Sequence, residues 1–202
     1  MHYGQATDDV TGCDGGLPAW HAFAAASRKE PMITVAILTV SDRSSRGERE
    51  DTSGPVIRQM VTEDMGATIV REGVVPDDQP TIAATLRDWA TQADVILTTG
   101  GTGFAPRDVT PEATLSVIER RAPGLEEAMR ADSLRKTPHA MLSRAVAGIC
   151  GRCVIVNLPG SPKAVRENLA TILPALPHAV RLLKGEAAES EHAFRPPAIH
   201  PG

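Results

Sequence analysis

A chain of 202 residues with a formal net charge of −4 and only 3% aromatic residues has the size and make-up of one α/β domain built around an aliphatic core. Its lysines and arginines are scattered instead of forming a basic run, which speaks against nucleic acid as a partner. The longest uncharged apolar run, Met32 to Val40, falls well short of the ~20 residues that a membrane helix needs, so no membrane span is expected.

Residues 1–30 contain Gly15-Gly16, several acids and no sustained apolar period, and read as a flexible amino-terminal tail. Asp8, Asp9 and Asp14 stand where a secretory signal would carry basic residues, and no apolar stretch follows them, so a cytoplasmic location is expected. The α/β domain is placed at residues 31–185, and residues 32–40 form its first strand. Val56, Ile57, Met60, Val61 and Met65 recur at helical spacing, and Gly66 ends that helix. Residues 68–70 open a second strand that runs towards Val74-Val75. Ile82, Leu86, Trp89 and Ala90 mark one face of the next helix. Residues 94–99 make a third strand, whose apolar centre (Val95, Ile96, Leu97) suits burial on both faces of a parallel sheet.

Helices are predicted near residues 111–121 and 124–135, then strands at 145–149 and 154–157, then a helix opening at Ser161-Pro162. Residues 186–202 carry charges and Pro196-Pro197 and read as a carboxy-terminal tail. The βαβαβα alternation predicts a three-layer, doubly wound, mostly parallel sheet with helices on both faces and one small β-hairpin. Ligands of such sheets sit at the carboxyl ends of the strands.

Three cysteines, Cys13, Cys150 and Cys153, are too few for a disulfide framework. Cys150-Gly151-Arg152-Cys153 has the spacing of a redox pair or of half a zinc site. No second such pair and no matching histidine spacing completes a tetrahedral set. Strand-like flanks make Gly151-Arg152 more simply a two-residue hairpin turn.

The richest chemical signal runs from Thr98 to Glu112, where a buried strand, the turn Gly100-Gly101-Thr102-Gly103, an Arg107-Asp108 pair and a helix start follow one another. Three glycines in four residues free the backbone for positive φ and let its N–H groups approach an anion. Thr110 is expected to cap the helix, with Pro111 and Glu112 in its first turn. The stretch is not G-x-x-x-x-G-K-[ST], nor does it fit G-x-G-x-x-G, because the last place counted from Gly101 falls on Pro106. A plain glycine-rich turn would need neither the Arg107-Asp108 pair nor the helix start, so the segment reads as a phosphate site used with a metal ion.

Polar motifs recur at the other predicted strand ends: Ser41 to Gly47 with Asp51-Thr52-Ser53-Gly54-Pro55, Val75-Pro76-Asp77-Asp78, and Asn157-Leu158-Pro159-Gly160-Ser161-Pro162. Singly, each is equally a solvated loop or a helix cap. Their joint placement on one rim of the sheet favours a common crevice.

Together these motifs resemble the molybdopterin adenylyltransferases of molybdenum cofactor biosynthesis, their sister proteins of the same fold, and the G domains of plant and animal fusion proteins. The resemblance rests on Thr39-Val40-Ser41-Asp42-Arg43, Asp51 to Pro55, Pro76-Asp77-Asp78, Thr99 to Pro111, Pro123-Gly124, Ser143-Arg144, Leu158 to Pro162 and Ala193-Phe194-Arg195-Pro196, in order over residues 33–197. It implies transfer of AMP from ATP to the terminal phosphate of molybdopterin with release of pyrophosphate, a requirement for Mg²⁺, a homotrimer, and hand-over of product to a molybdenum insertase. Asp77 and Asp108 match the two acidic catalytic positions and are assigned to Mg²⁺ and phosphate positioning. Gly100, Gly101, Thr102, Gly103, Ser161 and Pro162 are assigned to the nucleotide. Ser41, Asp51, Ser143, Arg144 and Asn157 are candidates for either end of the substrates. Arg107 either neutralises phosphate charge or pairs with a neighbouring acid. The main alternative keeps the fold and loses the reaction: a sister protein that binds pterin or nucleotide as a carrier or assembly partner. The related domain of the insertases, which comes with further domains, and a nucleotide pyrophosphatase, which needs a separate hydrolytic site, fit less well.

Overall fold

A computed structural model of the chain describes residues 32–186; the expected amino-terminal tail and all but the first residue of the expected carboxy-terminal one lie outside the described residues. Six strands form one sheet in the order β2-β1-β3-β6-β5-β4. They are β1 (Thr34–Val40), β2 (Thr68–Val75), β3 (Val95–Thr99), β4 (Arg120–Arg121), β5 (Ala147–Cys150) and β6 (Cys153–Leu158). β2, β1, β3 and β6 are parallel neighbours, while β5 and β4 run antiparallel at the far edge.

Alternation along each parallel strand splits the core in two. Val35 and Ile37 of β1, Val95 and Leu97 of β3 and Val154 and Val156 of β6 pack on one side. There they meet α2 (Gly54–Glu63), α5 (Pro123–Leu134), α6 (Pro162–Ile172) and α7 (Leu176–Lys184). Ala36, Leu38, Ile96 and Ile155 face the other way, against α3 (Gln79–Trp89) and α4 (Thr110–Leu115). The strands read as unbroken apolar runs because both faces are covered, and the expected three-layer, doubly wound architecture follows. Each buried valine, leucine or isoleucine among them contributes roughly 1.5–3 kcal/mol by leaving water.

Two local departures have physical causes. The helix expected over 111–121 stops at Leu115, and the chain then turns to pair with the edge of β5: the Glu119 N–H bonds the Ile149 carbonyl and the Ala122 N–H the Ala147 carbonyl, 2.8 Å each. Arg120-Arg121 becomes a strand because an unpaired sheet edge captures it, a tertiary demand that two arginines do not announce. A short helical turn at Pro138–Leu142 was not predicted; Thr137 caps it. The Cys150-to-Cys153 segment is the expected two-residue hairpin, with Gly151 at φ +58° and the two cysteines as register partners. Burial pushes the Cys153 thiol up to about 12, so it stays protonated as a core side chain.

Candidate functional site

Parallel pairing brings the carboxyl ends of β2, β1, β3 and β6 to one rim, and chain direction diverges between β1 and β3, whose following helices lie on opposite faces. That is the switch point at which open α/β sheets bind ligands. A cavity lies there, lined by Thr39, Ser41, Asp51, Ser53, Asp77, Gly100, Gly101, Asp108 and Gly160, with Arg49 and Glu50 at the same opening.

The glycine turn is built by its neighbours. Gly100 and Gly101 hold φ of +97° and +62°. The Gly100 carbonyl accepts the Thr110 hydroxyl at 2.9 Å and the Gly101 carbonyl accepts the Thr110 N–H at 3.1 Å. Thr110 is therefore not the cap it was expected to be: α4 begins at Thr110 itself, after Val109 and without a side-chain cap, and the hydroxyl fastens the turn instead. The turn after β6 packs against it, for the Thr99 hydroxyl donates to the Pro159 carbonyl at 2.6 Å and the Ser53 hydroxyl to that of Gly160 at 2.9 Å.

Asp77 and Asp78 part company. Asp78 caps α3, accepting the Thr81 N–H at 3.0 Å and its hydroxyl at 2.6 Å, whereas Asp77 turns into the cavity. Its Oδ2 accepts the Asp42 N–H at 2.7 Å, and its Oδ1 lies within 3.1 Å of where a side-chain carbon on Gly101 would sit. Burial raises the Asp77 pKa, and the charges of Asp42 and Asp108 push the same way. Asp108 also lines the cavity without capping a helix; its Oδ2 accepts the Ala105 N–H at 2.9 Å and closes its own loop.

Asp51 reaches the cavity with both oxygens engaged. Oδ1 accepts the N–H groups of Ser53 and Gly54 at 2.9 and 3.1 Å, and Oδ2 accepts the Thr39 hydroxyl at 2.6 Å. It shapes the loop before α2. Ser41 lines the cavity and caps the short helix α1 (Asp42–Ser45), accepting the Ser44 N–H at 3.2 Å. Ser161 caps α6, with Pro162 at its first position; neither lines this cavity, where Gly160 stands in their place.

Thr102, Gly103 and Ser143 line a second, more apolar cavity across the glycine turn, with Met129, Arg130, His139 and Pro159. Arg144, expected at a substrate, is directed inward at the turn. It donates to the Gly103 carbonyl at 2.7 Å, to the Asp108 carbonyl at 2.5 Å and to the Glu112 carboxylate. Its planar fork of donors ties the glycine turn to the start of α4.

Asn157 lines neither cavity. It is fully buried in the core: its amide donates to the hydroxyls of Thr98 at 3.0 Å and Thr114 at 2.8 Å, and its oxygen accepts the Val146 N–H at 3.2 Å. A strand-end asparagine beside a glycine turn reads the same in sequence whether it faces ligand or core. Asn157→Leu should lower stability by about 2–4 kcal/mol in urea melts, by orphaning buried groups, while activity per folded molecule stays near wild type. A raised KM with unchanged stability would restore Asn157 to the substrate.

Nothing in the sequence alone gives Thr39, Ser53 or Asp42 a role. The first two build the loop framework just described, and their only signal was membership of the polar strand-end motifs. Asp42 also holds Arg107, whose Nε and Nη2 donate to its two oxygens at 2.9 and 2.8 Å. In this structure, then, Arg107 pairs with a neighbouring acid.

Comparison with known proteins identifies the family. The probable molybdopterin binding domain matches residues 36–178. The molybdenum cofactor synthesis protein cinnamon of Drosophila melanogaster is 48% identical over 153 residues, which are 75% of this chain and 26% of that protein; the chain thus spans about a quarter of the length of that relative. A molybdopterin adenylyltransferase of Helicobacter pylori is 40% identical over 171 residues, covering 81% of this chain and 97% of the relative. The crystal structure of the molybdopterin biosynthesis enzyme MoaB from Thermus thermophilus superposes with a TM-score of 0.72 at 52% identity, over 76% of this chain and 98% of that one. With a glycine turn and two cavity-facing aspartates on the rim of the same fold, and with most of its length matched, the chain belongs to the molybdopterin-binding domain family.

Proposed function

We propose that this protein transfers AMP from ATP to the terminal phosphate of molybdopterin. The observation that carries the reading is the convergence of Asp77 and Asp108 on the glycine turn in one cavity at the β1/β3 switch point. A phosphate oxygen of molybdopterin attacks the α-phosphorus of ATP, the bond to the β-phosphate breaks, and pyrophosphate leaves with the electron pair. The attacking phosphate monoester is largely dianionic at neutral pH, so no strong protein base is needed, and positioning with charge neutralisation carries the barrier. The name of the Helicobacter relative supports the same reaction.

The residues fit a magnesium ion. Asp51, Asp77, Asp108 and Glu50 outnumber Arg49 around the cavity, a lining that repels polyphosphate unless a divalent cation accompanies it. Asp77 and Asp108 would hold that ion. Mg²⁺ is held by one or two carboxylates with phosphate oxygens and water completing its shell, so two aspartates meet its need; among the described residues no group of three or more His, Cys, Asp or Glu is placed to hold a metal ion. When bound, the ion neutralises charge developing between the reacting phosphates. The Gly100 N–H donates to the Leu158 carbonyl, so the N–H groups of Gly101, Thr102 and Gly103 receive the nucleotide phosphates, and the apolar cavity beyond Thr102 and Ser143 receives a ring system.

We extend the reading to a homotrimer, to hand-over of product to a molybdenum insertase and to a cytoplasmic location. The family resemblance supports the first two. No described helix is long and apolar enough to cross a membrane. Incubation with ATP, Mg²⁺ and molybdopterin should yield adenylylated molybdopterin and pyrophosphate in equal amounts. Tight molybdopterin binding without pyrophosphate release would instead mark a binding-only sister protein.

A further inference from the structure

We infer that Asp42 is a positioning residue for the transfer: it fixes the carboxylate of Asp77 through a two-way exchange of backbone and side-chain bonds, with Arg107 bracing it from the glycine loop. The inference rests on the reading of Asp77 as a group that acts on the phosphates. In the exchange the Asp42 N–H donates to Asp77 Oδ2 at 2.7 Å, and the Asp77 N–H donates to Asp42 Oδ1 at 3.1 Å. Each aspartate thereby fixes the other's backbone and side chain together, joining the loop after β1 to the loop after β2. Arg107 closes the arrangement with a two-pronged pair to both Asp42 oxygens.

Asp42 itself does not line the cavity, so whatever it does for the reaction it does through Asp77. Nor does Arg107 line it, and the arginine side chain is 65% exposed against 24% for Asp42. An ion pair so exposed adds little to stability; its two-pronged geometry adds orientation. Groups that orient a metal-holding or reacting carboxylate typically alter activity by about 10- to 100-fold when removed.

Three variants separate the parts. Asp42→Ala removes the acceptor of the Asp77 N–H and the partner of Arg107. Asp42→Asn keeps Oδ1, which accepts the Asp77 N–H and one prong of Arg107, and loses the charge and the Arg107 prong on Oδ2. Arg107→Met loses the brace and leaves the exchange whole. Asp42→Ala should lower kcat for adenylylation by about 10- to 100-fold with KM for ATP within about threefold of wild type. Asp42→Asn and Arg107→Met should both keep kcat within about fivefold. Independently of turnover, amide hydrogen exchange at Asp77 should quicken about tenfold or more in Asp42→Ala and stay near wild type in Asp42→Asn, with core amides unchanged in both.

Wild-type kcat in Asp42→Ala would overturn the inference. So would a tenfold rise in KM for ATP in Arg107→Met, which would make the arginine a phosphate ligand. Faster exchange throughout the core of Asp42→Ala would reduce Asp42 to a structural tie and overturn it as well. If the wild-type protein forms no adenylylated product the proposed activity fails, while the exchange at Asp77 still decides whether Asp42 holds it.

Discussion

Asp108→Asn is expected to lower adenylylation by a hundredfold or more, equivalent to about 2.7 kcal/mol or more in the barrier, with the fold and molybdopterin binding retained. The substitution keeps the shape of the side chain and an oxygen for the Ala105 N–H, and removes the charge that faces the cavity. Asp77→Asn should behave alike, since its remaining oxygen can still accept the Asp42 N–H. Because groups that hold one ion act as a unit, the double variant should be little worse than the worse single one. Stability provides an internal control. Burial first, then neighbouring carboxylates, raises the Asp77 pKa in the folded state. A raised carboxyl pKa means that the native state binds the proton more readily than the unfolded one. The stability it lends is present below the ordinary carboxylate range and is lost as pH rises through the raised pKa. At neutral pH the charged Asp77 therefore weighs against folding, and Asp77→Asn should show an unchanged or higher Tm beside its lost activity. Helix capping predicts the reverse, a small effect on turnover, because Asn caps nearly as well as Asp. Near wild-type turnover in either variant sinks the catalytic role of that aspartate and leaves the family membership standing.

The aliphatic runs at β1 and β3 made the sheet legible, because a strand covered on both faces must be apolar throughout. Glycines at Gly100 and Gly101 marked the cradle for a similar reason: φ of +97° and +62° is open to few other residues. Legibility failed where tertiary context chose between equal local options. Asp77 and Asp78 are adjacent, of one type, before one helix, and only the fold decides that the second caps while the first faces the cavity. Thr110 offered a good cap and gave its hydroxyl to a carbonyl ten residues back. Arg144 and Asn157 lie beside chemistry-bearing motifs, yet one fastens the turn from behind and the other satisfies buried hydroxyls. Asp77, Thr110, Arg144 and Asn157 are each held by a partner ten or more residues away, so no local pattern could reveal it.

Gly100→Ala should abolish most activity and lower Tm by roughly 5–10 °C, corresponding to about 2–3 kcal/mol in a domain of this size. Two effects combine. A side chain at φ +97° is strained whatever its surroundings, and a carbon there would sit 2.2 Å from the Val40 carbonyl oxygen, which is backbone at the end of a central strand. The turn cannot slide away, because the Gly100 carbonyl holds the Thr110 hydroxyl and the turn at Gly160 packs against the Gly100 Cα. Gly66→Ala separates the two effects. Gly66 has φ +64° and nothing within 4 Å of an added carbon, so it reports backbone strain alone, about 1–2 kcal/mol. Gly101→Ala lies between: its carbon would meet the Thr110 hydroxyl oxygen at 2.4 Å and Asp77 Oδ1 at 3.1 Å. The Thr110 hydroxyl can turn aside only by releasing the Gly100 carbonyl, a smaller loss than a clash with backbone, so Gly101→Ala should lose less stability than Gly100→Ala while displacing the carboxylate that the proposed reaction needs. Thermal melts of the three variants, read beside adenylylation per folded molecule, order these effects. Equal Tm in Gly100→Ala and Gly66→Ala would show that the turn yields, and would remove the rigid cradle on which the proposed phosphate binding at this rim depends.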